Sequence, residues 1–143
     1  MIVVVDASIA LKWFFRLRDD EADVDRALLL LEDIDAGHIR MVQPPHFLAE
    51  MGAVLAREKP ADAQADLADL LLIEFSHIDD PAIYATAVDL ACRLGHHMFD
   101  TLYHAAALHI AGATFVTADR RYYDNARDIG QIALLSNFHL PMA

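Results

Sequence analysis

The feature that most constrains this chain is its first strand. Residues 2–5 read Ile-Val-Val-Val, and an acid, Asp6, follows at once. An unbroken β-branched run suits a strand buried on both faces, as in a parallel sheet covered by helices on each side. Burying an unpaired carboxylate at the end of such a strand costs several kcal/mol, so Asp6 must meet water, a partner or a cation. The plain alternative is that Asp6 caps the next helix, a task Ser8 can do equally well.

Behind that strand, helix and strand signals alternate. A helix is expected to begin near Ser8. Residues 21–36 carry Val24, Ala27, Leu28, Leu31 and Ile34 near helical spacing, with Gly37 as the stop. Ile39–Val42 reads as a strand. Pro44-Pro45 opens a helix to about Arg57, whose apolar face holds Phe47, Leu48, Met51, Val54 and Leu55. Lys59-Pro60 breaks the chain before a helix from Ala61 to about Leu72 and a strand from Phe75 to Ile78. Asp79-Asp80-Pro81 is a cap-and-proline start for a helix ending at Gly95. A further helix runs from about Phe99 to Ala111, with Gly112 as its stop. Thr114–Thr117 is a strand, Asp119 to Arg127 a helix, and Ile132–Leu135 a last short strand. This alternation predicts a three-layer α/β/α sandwich with a central parallel sheet, one domain spanning 1–143. Such sheets bind ligands at the carboxyl ends of their strands, where Asp6 and Asp119 fall.

Composition narrows the function. The chain is 56% hydrophobic with only 5 Gly and 5 Pro, enough for a real core and too apolar for disorder. Its net charge of −11 disfavours a broad, sequence-blind nucleic-acid binder, which relies on phosphate neutralisation. A metal-dependent enzyme, by contrast, needs concentrated carboxylate, and its cation locally reverses the field. The positive residues are clumped: Lys12, Arg16 and Arg18 after the first strand, Arg120, Arg121 and Arg127 after the strand TFVT. Solvated helix faces are the ordinary explanation for such clumps. Cys92 is the one cysteine; it forms no internal bridge and is expected as a buried helical thiol. The N-terminus lacks a signal-peptide pattern, and no apolar stretch approaches the roughly 20 residues of a membrane helix. A soluble, cytoplasmic protein is expected.

Three more acids stand at telling positions. Glu50 borders the buried stripe of its helix, because Phe47, Met51, Val54 and Leu55 surround it at helical spacing. Asp100 opens a helix and Asp119 follows a strand, where an anion near a helix N-terminus is ordinary. Singly, each has a structural explanation. Jointly, carboxylates from two strand ends and two helices can converge on Mg²⁺ or Mn²⁺, which prefer oxygen ligands. Phosphodiester hydrolysis needs such an ion to activate water and to stabilise the leaving oxygen.

The segments VVVDASIALKWF, PPHFLAEMGAVLAR and FDTLYHAAALHIAGATFVTADRRYY, in this order and spacing, resemble a PIN domain. More narrowly they resemble the VapC toxin class of toxin–antitoxin pairs, over roughly residues 2 to 135. The resemblance implies a Mg²⁺- or Mn²⁺-dependent endoribonuclease whose catalytic, metal-holding residues are Asp6, Glu50, Asp100 and Asp119. It matches Ser8 and Thr117 to small hydroxyl residues near the site. Asp124 is either a supplementary acid or a surface group. The resemblance also implies an RNA substrate, a homodimer and an antitoxin partner. Exposed members of Trp13-Phe14-Phe15 then line a partner surface, while at least one is expected in the core.

Rival chemistries are weaker. His96, His97, Asp100 and His104 lie within nine positions, but no HExxH or paired-cysteine pattern supports zinc. A phosphoacceptor receiver wants a late lysine, and the lysines are Lys12 and Lys59. A haloacid-dehalogenase-like phosphatase wants an acid where Ser8 stands. Scattered glycines make no phosphate-binding loop. The competing class is a non-catalytic PIN-like module acting through a protein partner, against which the four intact acids weigh.

Overall fold

The computed structural model describes residues 1–18 and 21–140. The strands are β1 (Ile2–Val5), β2 (Arg40–Gln43), β3 (Ser76–His77), β4 (Ala113–Thr117) and β5 (Ile132–Leu134). The helices between them are α1 (Ala7–Phe14), α2 (Val24–Asp35), α3 (Phe47–Glu58) and α4 (Ala63–Leu72), then α5 (Pro81–Leu94), α6 (Met98–Leu108) and α7 (Arg120–Ala126). All five strands are parallel, in the order β3-β2-β1-β4-β5. Helices flank this sheet, giving the α/β/α sandwich that the alternation implies.

β1 is the central strand, and Val3, Val4 and Val5 are fully buried. From β1 the chain steps outward to β2 and β3, then crosses back to β4 on the other side and on to β5. The β1–β4 boundary is therefore where the winding reverses, the place where open parallel sheets form a crevice.

Local chemistry explains most element boundaries. Asp80 caps α5, its Oδ1 accepting from the Ala82 N–H at 2.9 Å, with Pro81 in the first turn. Gly95 ends that helix at φ 66°, a left-handed conformation glycine adopts without strain. Where sequence and structure differ, packing and capping decide. Pro44–His46 form a turn, so α3 starts at Phe47, and β2 runs on to Gln43. His97 caps α6 through Nδ1, which moves its start to Met98. β3 shrinks to two exposed residues at the sheet edge. Cys92, expected in the core, is exposed on α5, because that helix buries Ile83, Ala87 and Leu90 instead. Among the described residues, no helix is long and apolar enough to cross a membrane.

Candidate active site

The carboxyl ends of β1 and β4 build one wall of the crevice. Their register pairs Val5 with Val116, and the Asp6 N–H donates to the Val116 carbonyl at 3.0 Å. Thr117, next on β4, donates from Oγ1 to Asp6 Oδ2 at 2.6 Å, and Ser8 Oγ donates to the same oxygen at 2.8 Å. Both hydroxyls are themselves polarised by backbone. Thr117 Oγ1 accepts from the Asp119 N–H at 3.0 Å, and Ser8 Oγ accepts from the Ala118 N–H at 3.2 Å. The Asp6 carboxylate makes no helix-cap bond, so the capping explanation for it fails. Asp119 does cap α7, accepting from the Tyr122 N–H at 3.1 Å through Oδ1. That bond engages one of its two oxygens.

Helices α3 and α6 build the opposite wall. Glu50 and Asp100 each sit in the first turn of their helix, where the aligned peptide dipoles favour an anion. The buried Tyr103 hydroxyl, one turn along α6, lies 3.4 Å from Glu50 Oε1. Glu50 Oε2 is buried and has no hydrogen-bond partner among the described residues, the nearest nitrogen being His46 Nε2 at 3.5 Å. His46, four residues before Glu50, stacks its ring on Tyr103 with centroids 4.4 Å apart.

The four acids feel one another. Burial is the main reason that the Asp6 carboxyl is pushed up to about 6, with Asp100 and Asp119 adding repulsion and the two hydroxyls opposing it. Glu50 is pushed up to about 7, chiefly by burial and then by Asp6 and Asp100. Asp100 is raised by burial and by Asp119, against the nearby imidazoles of His96, His97 and His46. The Tyr103 hydroxyl is held firmly neutral by burial and by Glu50. The chain has thus placed mutually repelling carboxylates in one partly desolvated crevice, an arrangement typical of sites that do chemistry.

These residues fit a hard divalent cation, because every acidic donor is an oxygen and one buried oxygen lacks a partner. Among the described residues, no three acidic, histidine or cysteine side chains are gathered into a closed ligand set. The fit is therefore to an ion held by one or two carboxylates with water and substrate phosphate, as Mg²⁺ commonly is.

Residues 3–128 match the family model of the PIN domain. The chain belongs to the PIN domain family. No curated protein matches it. A solved structure of similar fold is the crystal structure of VapBC2 from Rickettsia felis bound to a DNA fragment from their promoter. The similarity has a TM-score of 0.68 at 19% identity, covering 94% of this chain and 97% of the other. PIN domains are generally nucleases.

Within this PIN domain the remaining candidates sort clearly. Asp124 is exposed on α7 and is not among the charges that perturb the cluster. The zinc constellation is not assembled. His104 is buried, with Nε2 donating to the Gly130 carbonyl at 2.8 Å and Nδ1 2.9 Å from the Tyr122 hydroxyl. His97 Nδ1 is occupied by the Phe99 N–H. Of the aromatic triplet, Trp13 and Phe15 are buried, and Trp13 Nε1 donates to the Ala27 carbonyl at 2.8 Å. Only Phe14 is partly open.

Three supporting residues lay outside the sequence reading. Gln43 is fully buried, and its side-chain amide pairs with both the N–H and the carbonyl of Val5, each at 2.7 Å. It replaces a missing β1–β2 ladder rung directly before Asp6. Its signal was a polar residue closing an apolar strand. Tyr103 and His46 could have been found as aromatic neighbours, at helical spacing, of Asp100 and Glu50.

Proposed function

We propose that this PIN domain is a Mg²⁺- or Mn²⁺-dependent endoribonuclease and the toxin of a toxin–antitoxin pair. One observation carries the nuclease reading: Asp6, Glu50, Asp100 and Asp119 perturb one another in a single crevice at the sheet's switch point. A bound cation supplies charge for the leaving oxygen and acidity for the attacking water. Asp6, Asp100 and Asp119 hold it, directly or through water. Ser8 and Thr117 fix the orientation of Asp6 by gripping Oδ2, which leaves Oδ1 toward the crevice. Glu50 Oε2, free of hydrogen bonds, orients the attacking water and takes its proton as the water oxygen bonds to phosphorus. The phosphorus–oxygen bond to the leaving nucleotide then breaks, and that oxygen is protonated.

The toxin reading rests on the resemblance to the VapC class and on the similar fold in VapBC2. A groove of about 870 Å³ supports a protein partner. Phe14, Leu17, Leu31, Leu72 and Ile73 line it, with Lys59, Asp62 and Asp66 among its polar residues. This groove, rather than the triplet as a whole, is the docking surface proposed for an antitoxin segment. A homodimer and a cytoplasmic location belong to the same proposal.

The test is cleavage of total cellular RNA by the purified protein, with Mg²⁺ or Mn²⁺ and with EDTA. Metal-dependent fragmentation is expected. Intact RNA under every condition would reject the nuclease reading.

A further inference from the structure

Phe99 is placed as no core residue would be. It immediately precedes Asp100, yet its side chain leaves the residue 53% exposed. The backbone beneath it is pinned on both sides. Its N–H donates to His97 Nδ1 at 3.1 Å, and its carbonyl accepts from His46 Nε2 at 2.8 Å. The same two imidazoles flank the ring, His97 at 4.8 Å and 61°, His46 at 5.7 Å and 42° between planes. An apolar ring is thus held rigidly in the open, at the lip of the carboxylate crevice. Rigid exposure of this kind is of no benefit to stability and suits a ring that receives a flat partner.

A second observation stands on the other side of the cluster. Asp119 is followed by Arg120 and Arg121, both exposed and without an ion pair among the described residues. Elsewhere Lys12, Lys59, Arg57 and Arg93 are each tied to an acid. In a chain of net charge −11, two adjacent unspent arginines beside the acids offer a local counterweight for phosphate.

We propose that Phe99 is a stacking platform for one unpaired nucleobase of an RNA strand, whose phosphates run past Arg120 and Arg121 across the carboxylate cluster. The strand must be unpaired there, because a base inside a duplex has both faces covered by its neighbours. This rests on the ribonuclease reading for the identity of the strand, and it deepens that reading by naming single-stranded RNA as the substrate class. The aromatic face accepts any base, so the platform confers strand type and register rather than sequence.

The test measures binding of a fluorescent single-stranded RNA oligonucleotide to Asp100→Asn protein, in Mg²⁺, over a series of salt concentrations. Phe99→Ala and Phe99→Leu should weaken binding at least about fivefold, while Phe99→Tyr and Phe99→Trp retain it, since only the ring matters. Arg120→Ala/Arg121→Ala should flatten the dependence of log affinity on log salt by about 1, which the Phe99 variants leave unchanged. Duplex RNA of equal length should compete poorly. Wild-type affinity in Phe99→Leu overturns the proposal. So does altered sedimentation of the Phe99 variants with RNA affinity unchanged, which makes the ring a contact between copies of the chain. Binding with these dependences but no cleavage by wild type would reject the nuclease reading alone. Cleavage and binding indifferent to Phe99 would reject this inference alone.

Discussion

The two walls of the crevice are built on opposite plans. On the sheet side, Asp6 Oδ2 is held by two hydroxyls, each oriented by a backbone N–H, and Gln43 fastens the residue before it. On the helix side, Glu50 has one long contact from Tyr103 and a buried oxygen with no partner. Buried polar atoms are normally satisfied, and an unsatisfied one is costly. The comparison teaches a division of labour. The sheet wall is finished by folding, whereas the helix wall is left to be completed by what binds.

The strongest way to break this picture is to remove charge from either wall. Asp6→Asn and Asp100→Asn should each lower RNA cleavage by more than the roughly 10- to 100-fold typical of supporting residues, with circular dichroism unchanged. Residual activity near wild type at limiting Mg²⁺ would exclude that acid from the mechanism.

A subtler change distinguishes holding from ligating. Thr117→Val keeps shape and removes the 2.6 Å bond to Asp6. Activity should fall about 10- to 100-fold, and raised Mg²⁺ should restore part of it. A loss equal to that of Asp6→Asn, unrelieved by metal, would mean that Thr117 itself serves in the reaction.

The electrostatic cost of the site should appear in stability without substrate. Asp6 and Glu50 have folded values of about 6 and about 7, above their model values of 3.8 and 4.5. A raised folded pKa in an acid gives stability that is full below the unfolded value and is lost as pH rises through the folded one. In EDTA the melting temperature should therefore fall between pH 5 and pH 8, by about 6 °C for a loss near 2 kcal/mol. Mg²⁺ at pH 8 should reverse the fall by binding the folded state. Asp100→Asn should melt about 3 °C higher than wild type without metal, since one like charge is gone, and should then gain little from Mg²⁺. An identical Mg²⁺ response in both proteins would mean that the acids do not share a site.

The smallest expected effect is at Asp124, exposed on α7 beyond either wall. Asp124→Asn should leave cleavage and its Mg²⁺ dependence unchanged. A loss comparable to that of Thr117→Val would add a third wall to the site.

Much of this was legible before folding was considered. The run Val3–Val5 can be stable only inside a parallel sheet, and an acid ending it is too costly to be idle, so Asp6 announced itself. The Asp80-Pro81 start and Gly95 stop of α5 follow from backbone chemistry alone. These signals are local: each depends on a residue and its near neighbours in the chain. Glu50 was harder, because a glutamate at the edge of an apolar stripe is equally at home on a surface.

What only the tertiary structure decided involves partners far apart in sequence. Thr117 meets Asp6 across 111 residues, and Gln43 meets Val5 across 38, contacts that exist because β1 lies between β2 and β4. Cys92 faces outward and Trp13 inward because helix rotation is set by the neighbouring elements, which a single helix's periodicity only approximates. The sequence by itself determined that acids would stand at strand and helix ends. The sheet's strand order determined that they would face one another, because charge repulsion acts through space and the chain reports only distance along itself.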